Sequence, residues 1–167
     1  MARNLQKERQ QRGQEFQDEM RRSWALVKGC WRKRLKDGGG STEPADELVL
    51  LEDLNLLLEH KRTEGDRFEL GFLRADQVTG LLNFDRVIAR NYGLVCVSFN
   101  DPNTGRDDAY AFRFITAMRY MQRKSRVYIT AAELAHKALP CARLPRLQGA
   151  EKPTYDLGEL IACCRSL

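Results

Sequence analysis

Asp46, Glu59 and Lys61 are three ionisable residues spread along a leucine-rich run, "PADELVLLEDLNLLLEHKRTE" from Pro44 to Glu64. Leucines alone would indicate a core segment, so the charges at both ends need a separate reason. Two neighbouring carboxylates can hold Mg²⁺, which prefers oxygen ligands and keeps several waters. A cation so held makes a hydroxide nucleophile accessible and steadies charge on a phosphoryl oxygen. A lysine beside it stabilises the developing negative charge or orients the attacking water. That is a phosphodiester-hydrolysing set, provided the three residues meet. Spread over a surface, they would form only weak ion pairs.

Whether they meet depends on the backbone. In one continuous helix, Asp46 and Glu59 are about 20 Å apart, at roughly 1.5 Å per residue, and serve no common site. In a hairpin with a two-residue turn at Asp53-Leu54, Glu52 faces Asn55, Leu48 faces Glu59 and Asp46 faces Lys61. Opposed residues share a face, as do alternate residues on one strand. The three groups then lie within about 5–8 Å of one another. A turn one residue longer changes the parity unless a bulge restores it. Leucine favours the helix, whereas Asp and Asn around the turn favour the hairpin. Both remain open at this level.

The elements that must position these residues follow from pattern. Residues 4–28 read as a helix, with Leu5, Phe16, Met20, Trp24 and Val27 on one side. Gly29 ends it. "CWRKRLK" follows as a strand with basic residues on one face, and "DGGGSTEP" as a flexible connector without the Gly-Lys-Ser/Thr ending of a phosphate-binding loop. Beyond the central run come a helix over 74–91, a buried strand "GLVCVSFN", a turn "DPNTGRDD" and a strand "AYAFRFI". A short helix over 116–124 is followed by another opened by Thr130, with Glu133 three residues on as a capping box. From Pro140 the chain reads as irregular, with "LGELIACC" able to dock as a last helix. This order implies an α/β or α+β domain with a mixed sheet flanked by helices. Its parts are a basic helix and strand (1–37), a flexible loop (38–44), a core (45–135) and a tail (140–167).

The 167 residues suit one domain with a real core. No apolar run approaches the roughly 18 residues of a membrane span. The N-terminus is charged and lacks an apolar h-region, so the expected location is the cytoplasm. Five cysteines lack C-x-x-C spacing and lie far from both histidines. Free thiols in a reducing compartment are expected rather than zinc ligands. The net charge of +5 is uneven, since residues 1–37 carry eleven Lys or Arg against five Asp or Glu. A basic end on a nearly neutral body suits a polyanion partner, or else is a solvated helix face.

The central run has a further property. "PAD", the thirteen-residue interval from Asp46 to Glu59, and "EHK" resemble the PD-(D/E)XK nuclease signature. "QRGQEFQDEM" is similar to the first-helix motif of RecU-type Holliday junction resolvases and related phage proteins. "FELGFLRADQ" resembles the segment after their motif lysine, with Phe68, Leu70, Leu73 and Gln77 at its spacing. "GLVCVSFND" and "AYAFRFI" also fit in order and length, so the resemblance covers about residues 12–134.

The resemblance implies a restriction-endonuclease-like core binding Mg²⁺ or Mn²⁺. Asp46 and Glu59 would be metal ligands, Lys61 the catalytic lysine, and Gln77 a residue that supports the site or contacts DNA. It also implies a homodimer, whose two-fold symmetry suits a pseudo-two-fold four-way DNA junction. Relatives often have an acid where this chain has Gln17, and Glu19 is then the better substitute ligand of the two nearby glutamates. Relatives also often have Pro after the motif phenylalanine, where this chain has Glu69. Arg9, Arg12, Arg32, Lys33 and Arg34 are candidate phosphate contacts, which position DNA without reading its sequence. His60 is expected on the opposite face as packing, and Trp24 and Trp31 in the core.

Three functions therefore stand side by side. One is a metal-dependent, structure-selective endonuclease, above all a junction resolvase. Another is a phage or mobile-element nuclease acting on flaps, single strands or duplex. The last is a non-enzymatic DNA-binding module on a degenerate nuclease fold. A serine or cysteine hydrolase lacks a nucleophile elbow here.

Overall fold

The structure is a computed structural model that describes residues 2–35 and 43–166. The connector expected at 38–44 falls almost wholly on 36–42, outside the described residues. The chain forms a six-stranded mixed sheet flanked by helices, the α/β arrangement expected.

Helix α1 (Ala2–Ala25) buries Phe16, Met20 and Trp24, one helical turn apart, against the sheet. It ends three residues before the expected Lys28, because the amides of Leu26 and Val27 turn back to the carbonyls of Ser23 and Trp24. Gly29 then takes a positive φ of 71°. The strands β1 (Trp31–Arg34), β2 (Glu47–Leu50) and β3 (Asn55–Thr63) run antiparallel in turn. Trp31 is exposed, contrary to the core role expected of it, because β1 is a four-residue strand at the sheet margin.

The span from 46 to 61 is thus a hairpin, not a helix, but its register differs from the expectation. Leu50 pairs with Asn55 and Glu47 with Leu58, so the loop is Leu51 to Leu54. Leu54 is drawn into the core and its carbonyl accepts from the Leu51 amide at 2.8 Å. Burying that leucine widens the turn by two residues. A shift of two keeps the side chains from Glu47 onward on their faces, but Asp46, just before β2, takes its carboxylate partners from Gln17 of α1 and from His60, so it does not share the face expected with Glu59 and Lys61.

After β3, β4 (Arg67–Glu69) leads through a 3-10 turn at Leu70–Phe72 into α2 (Ala75–Val87) and then β5 (Asn91–Asp101), which lies parallel to β3. This crossover puts the start of α2 beside the carboxyl end of β3, where open α/β sheets usually bind ligands. Next come β6 (Arg106–Arg113), α3 (Phe114–Arg123), β7 (Tyr128–Thr130), α4 (Ala131–Ala135), β8 (Ala142–Arg143) and α5 (Gly158–Arg165). The sheet order is β1-β2-β3-β5-β6-β8, and β4 pairs separately with β7.

Two apolar layers sandwich the sheet. One joins α1 to Leu56, Leu58, Leu94 and the C-terminal residues Tyr155, Leu157, Leu160 and Cys164. The other joins α2, α3 and β7 to Leu57, Val95, Val97 and Phe112. The segment from 140 is therefore not an irregular tail throughout, since β8 extends the sheet and α5 fills the α1 layer. Thr130 caps α4 with Glu133 as the sequence pattern indicates.

Gly93 on β5 is required by this packing, because a Cβ there would strike the Leu81 carbonyl of α2. Gly93→Ala is expected to lower stability by about 1–3 kcal/mol, as overpacking does. Gly105→Ala is no clean control, since its φ is +70°. Urea unfolding of Gly93→Ala beside the parent checks the expected loss, and a midpoint no lower than the parent's would contradict it.

Candidate functional site

Along β3, Leu57, Glu59 and Lys61 face the α2 layer, whereas Leu58, His60 and Arg62 face α1. Glu59 is 1% exposed on a central strand. Its Oε1 accepts from Lys61 Nζ at 2.7 Å and from Gln77 Nε2 at 2.7 Å. Its Oε2 is buried without a hydrogen-bond partner. Gln77 stands in the first turn of α2, where its Oε1 accepts from the Arg74 amide at 3.0 Å and lies 3.5 Å from Lys61 Nζ. A single amide side chain thus caps the helix and orients the carboxylate.

Asp46 precedes β2, and its amide donates to the carbonyl of Leu58, the residue before Glu59, at 3.0 Å. It does not face Lys61, as the two-residue turn required. Its carbonyl is used by the Leu35 amide, and its carboxylate serves β3 instead, with Oδ2 accepting from the His60 amide at 2.8 Å. The His60 ring is also within reach, with Nδ1 3.5 Å from Oδ2. His60 packs edge-on against Phe16, as its face requires, but it is an electrostatic neighbour of Asp46 as well. Asp46 Oδ1 accepts from Gln17 Nε2 at 3.0 Å.

Electrostatics divide the two carboxyls. Burial pushes Glu59 up to about 7, and the negative charge of Asp46 adds to this, against the pull of Lys61. Burial acts on Asp46 too, but the hydrogen bonds and positive charge of His60, with Lys61 beyond, hold it below the usual carboxylate range. His60 is correspondingly raised; burial favours its neutral ring, and the contacts with Asp46 and Cys96 together outweigh that. Two carboxylates with separated proton affinities form a common acid–base arrangement.

Glu19 does not join this set. Its carboxylate is 2.5 Å from Arg62 Nη2, 3.0 Å from Arg146 Nη1 and 3.0 Å from the Tyr155 hydroxyl. Two guanidinium groups and a phenol converge on its Oε2 on the α1 side of the sheet, so the substitute ligand expected there is directed elsewhere. Gln17, on the same helix, is the residue that reaches Asp46. Its signal in the sequence is its place directly after Phe16, although an amide there is not itself an anionic metal ligand.

The basic residues separate. Arg12 pairs with Glu64, Arg32 lies 3.5 Å from Glu47, and Arg34 donates to Gln14 at 3.0 Å. Arg32 and Arg34 lie opposite Val49 and Glu47, on the α1 face, while Lys33 lies opposite Leu48 on the other. Arg9 lies within α1, and its side chain is outside the described part. Beside Lys61 opens a cleft of about 470 Å³, lined also by Arg12, Arg62, Thr63, Glu64, Gly65 and Phe72.

The donor set suits a hard divalent cation. It offers carboxylate oxygens from two residues, one of them buried and without a partner. Among the described residues no group of three or more His, Cys, Asp or Glu gathers in ligating range. A cation here would therefore draw further ligands from water, as Mg²⁺ does. Also among the described residues, no helix is long and apolar enough to cross a membrane.

No protein-family model matches the chain, and no curated protein matches it. Among solved structures it is similar to Hjc of Archaeoglobus fulgidus, a Holliday junction resolvase from an archaeal hyperthermophile. The identity is 20%, over 71% of this chain and 88% of that one, with a TM-score of 0.47.

The raised Glu59 carboxyl has a consequence for stability. Folded, the group holds its proton more tightly than unfolded, so its contribution is full below about 4.5 and is lost as pH rises through about 7. Glu59→Gln is uncharged at every pH. Without divalent cations it should match the parent near pH 4 and exceed it by roughly 1–3 kcal/mol at pH 8. Chemical denaturation at both pH values measures this. An advantage that is the same at both, or reversed, would contradict the account of Glu59.

Proposed function

We propose that this chain is a metal-dependent, structure-selective DNA endonuclease that hydrolyses phosphodiester bonds in a four-way junction. The observation that carries this reading is Glu59, buried with one oxygen unpartnered, clamped by Lys61 and Gln77 and flanked by Asp46. A structural core has no need of an unpaired buried carboxylate oxygen, which costs stability. In this reading Asp46 and Glu59 hold Mg²⁺ or Mn²⁺, and the cation supplies Lewis acidity to a phosphoryl oxygen.

The chain's own residues supply the rest. Lys61, its ammonium 2.7 Å from Glu59, orients water or stabilises charge developing on the phosphate. Gln77 keeps Glu59 in one rotamer by donating to Oε1 while its own carbonyl oxygen is held by the Arg74 amide. Gln17 and the His60 amide fix Asp46 in the same manner. Arg12, which lines the cleft beside Lys61, contacts a phosphate, and Arg32 and Arg34 on the α1 side extend that contact, so affinity falls with salt. The branched substrate and a homodimer with two sites come from the motif resemblance, and a pair of symmetric nicks would need both.

One observation favours a second reading, a DNA-binding module without catalysis. Both oxygens of Asp46 already accept hydrogen bonds, one from an amide where relatives often carry an acid. A labelled synthetic four-way junction, a flap and a linear duplex, each with Mg²⁺, Mn²⁺ or EDTA, separate these readings. The expected result is cation-dependent nicking of the junction. Lys61→Ala and Asp46→Asn should each lower it about 10²–10³-fold while DNA binding persists. Undiminished cleavage by both variants would remove the assignment of these residues. Binding without cleavage in any cation would leave the module, and preference for flap or duplex would change the substrate.

A further inference from the structure

Four ion pairs involve the cations that line the cleft beside Lys61, and they differ in burial. Lys61 pairs with Glu59, whose side chain is 1% exposed, and Arg62 pairs with Glu19, at 8%, and more loosely, at 3.9 Å, with Glu15, at 51%. Lys61 cannot exchange Glu59 for a solvent-borne anion without leaving a buried carboxylate without its cation, which is strongly destabilising, and Arg62 is itself buried, with its side chain 5% exposed and hydrogen-bonded to Ser98. Arg12 pairs with Glu64, whose side chain is 47% exposed. That carboxylate can swing into water at little cost.

The geometry around Glu64 supports such an exchange. Arg106 Nη2 donates to the carbonyls of Glu64 and Gly65, both at 2.6 Å, and the Gly65 amide donates to Thr63 Oγ1 at 3.0 Å. The loop is therefore pinned through its backbone, and only the Glu64 side chain has to move. Arg12 comes from α1 and Glu64 from the loop between β3 and β4, and both line the cleft. Guanidinium presents the same planar fork to carboxylate and to phosphate.

We propose that the Arg12–Glu64 pair is a carboxylate-occupied phosphate subsite. Glu64 stands where a nucleic-acid backbone phosphate adjoining the reacting one binds, and DNA must displace it from Arg12. Glu64 is thereby a built-in competitor that weakens binding of any chain unable to deliver a phosphate at that point. This inference rests on the proposed function, because it takes DNA as the ligand.

The test is a double-mutant cycle of Arg12→Ala and Glu64→Gln in the full chain. Binding of a fluorescein-labelled four-way junction is read by anisotropy in EDTA, so that cleavage plays no part. Glu64→Gln should tighten binding about 3–10-fold, and Arg12→Ala should weaken it while reducing the salt slope by about 1. In the Arg12→Ala background the gain from Glu64→Gln should vanish. An equal gain in both backgrounds would make Glu64 a general repulsive charge and overturn the subsite, as would no gain at all. In either case wild-type binding and cation-dependent cleavage would leave the nuclease reading intact. Absence of DNA binding by all four proteins would overturn both.

Discussion

A carboxylate buried at the centre of the sheet is the constraint on which the rest depends. Glu59 lies on β3, a strand flanked by β2 and β5 and covered by apolar layers on both faces. A charge in that position is costly unless it is paired and hydrogen-bonded. Lys61 and Gln77 meet part of the requirement through one oxygen. The other oxygen has no partner, and Asp46 adds a like charge. The site is thus held in an electrostatically unfavourable state that a divalent cation would relieve.

The surrounding fold serves that state. The β3–α2–β5 crossover delivers the first turn of α2 to the carboxyl end of β3, which is how a glutamine eighteen residues away bonds Glu59. Close approach makes this rigid, with Gly93 packed on the Leu81 carbonyl and Gly80 on Pro44, just before Asp46. The hairpin loop is tied down from outside by Arg165 of α5, which grips Asp53 with two hydrogen bonds at 2.8 and 3.0 Å. Elements remote in sequence therefore share the work of holding two carboxylates near each other.

Formal charge overstates the basic surface. Of the cations that make residues 1–37 basic, Arg12, Arg21 and Arg32 have carboxylate partners, and Arg22 and Arg34 donate to carbonyl and amide oxygens. Arg62, whose residue type signals a nucleic-acid contact, is spent on Glu19, Ser98 and the Phe16 ring. What a polyanion meets is set by how exposed each partner is, and the cleft beside Lys61 illustrates the difference.

Alternation along a strand is a local property, so the sequence by itself determined that Glu59 and Lys61 share one face of β3 and His60 the other. It also determined the order of the main helices and strands and the Thr130–Glu133 cap, each a matter of neighbouring residues, but not the two- and three-residue strands β4, β7 and β8, which are too short to carry a period. Tertiary structure decided the rest. Burial of Leu54 widened the hairpin loop and moved Asp46 from its expected place opposite Lys61 to the Leu58 carbonyl. The Asp46 side chain took over a ladder hydrogen bond that its own carbonyl had given to Leu35, which no periodicity encodes. Glu19 was diverted by Arg146 and Tyr155, more than a hundred residues downstream. Where a side chain's partner is a distant segment competing for the same oxygen, only the packed chain determines which contact prevails.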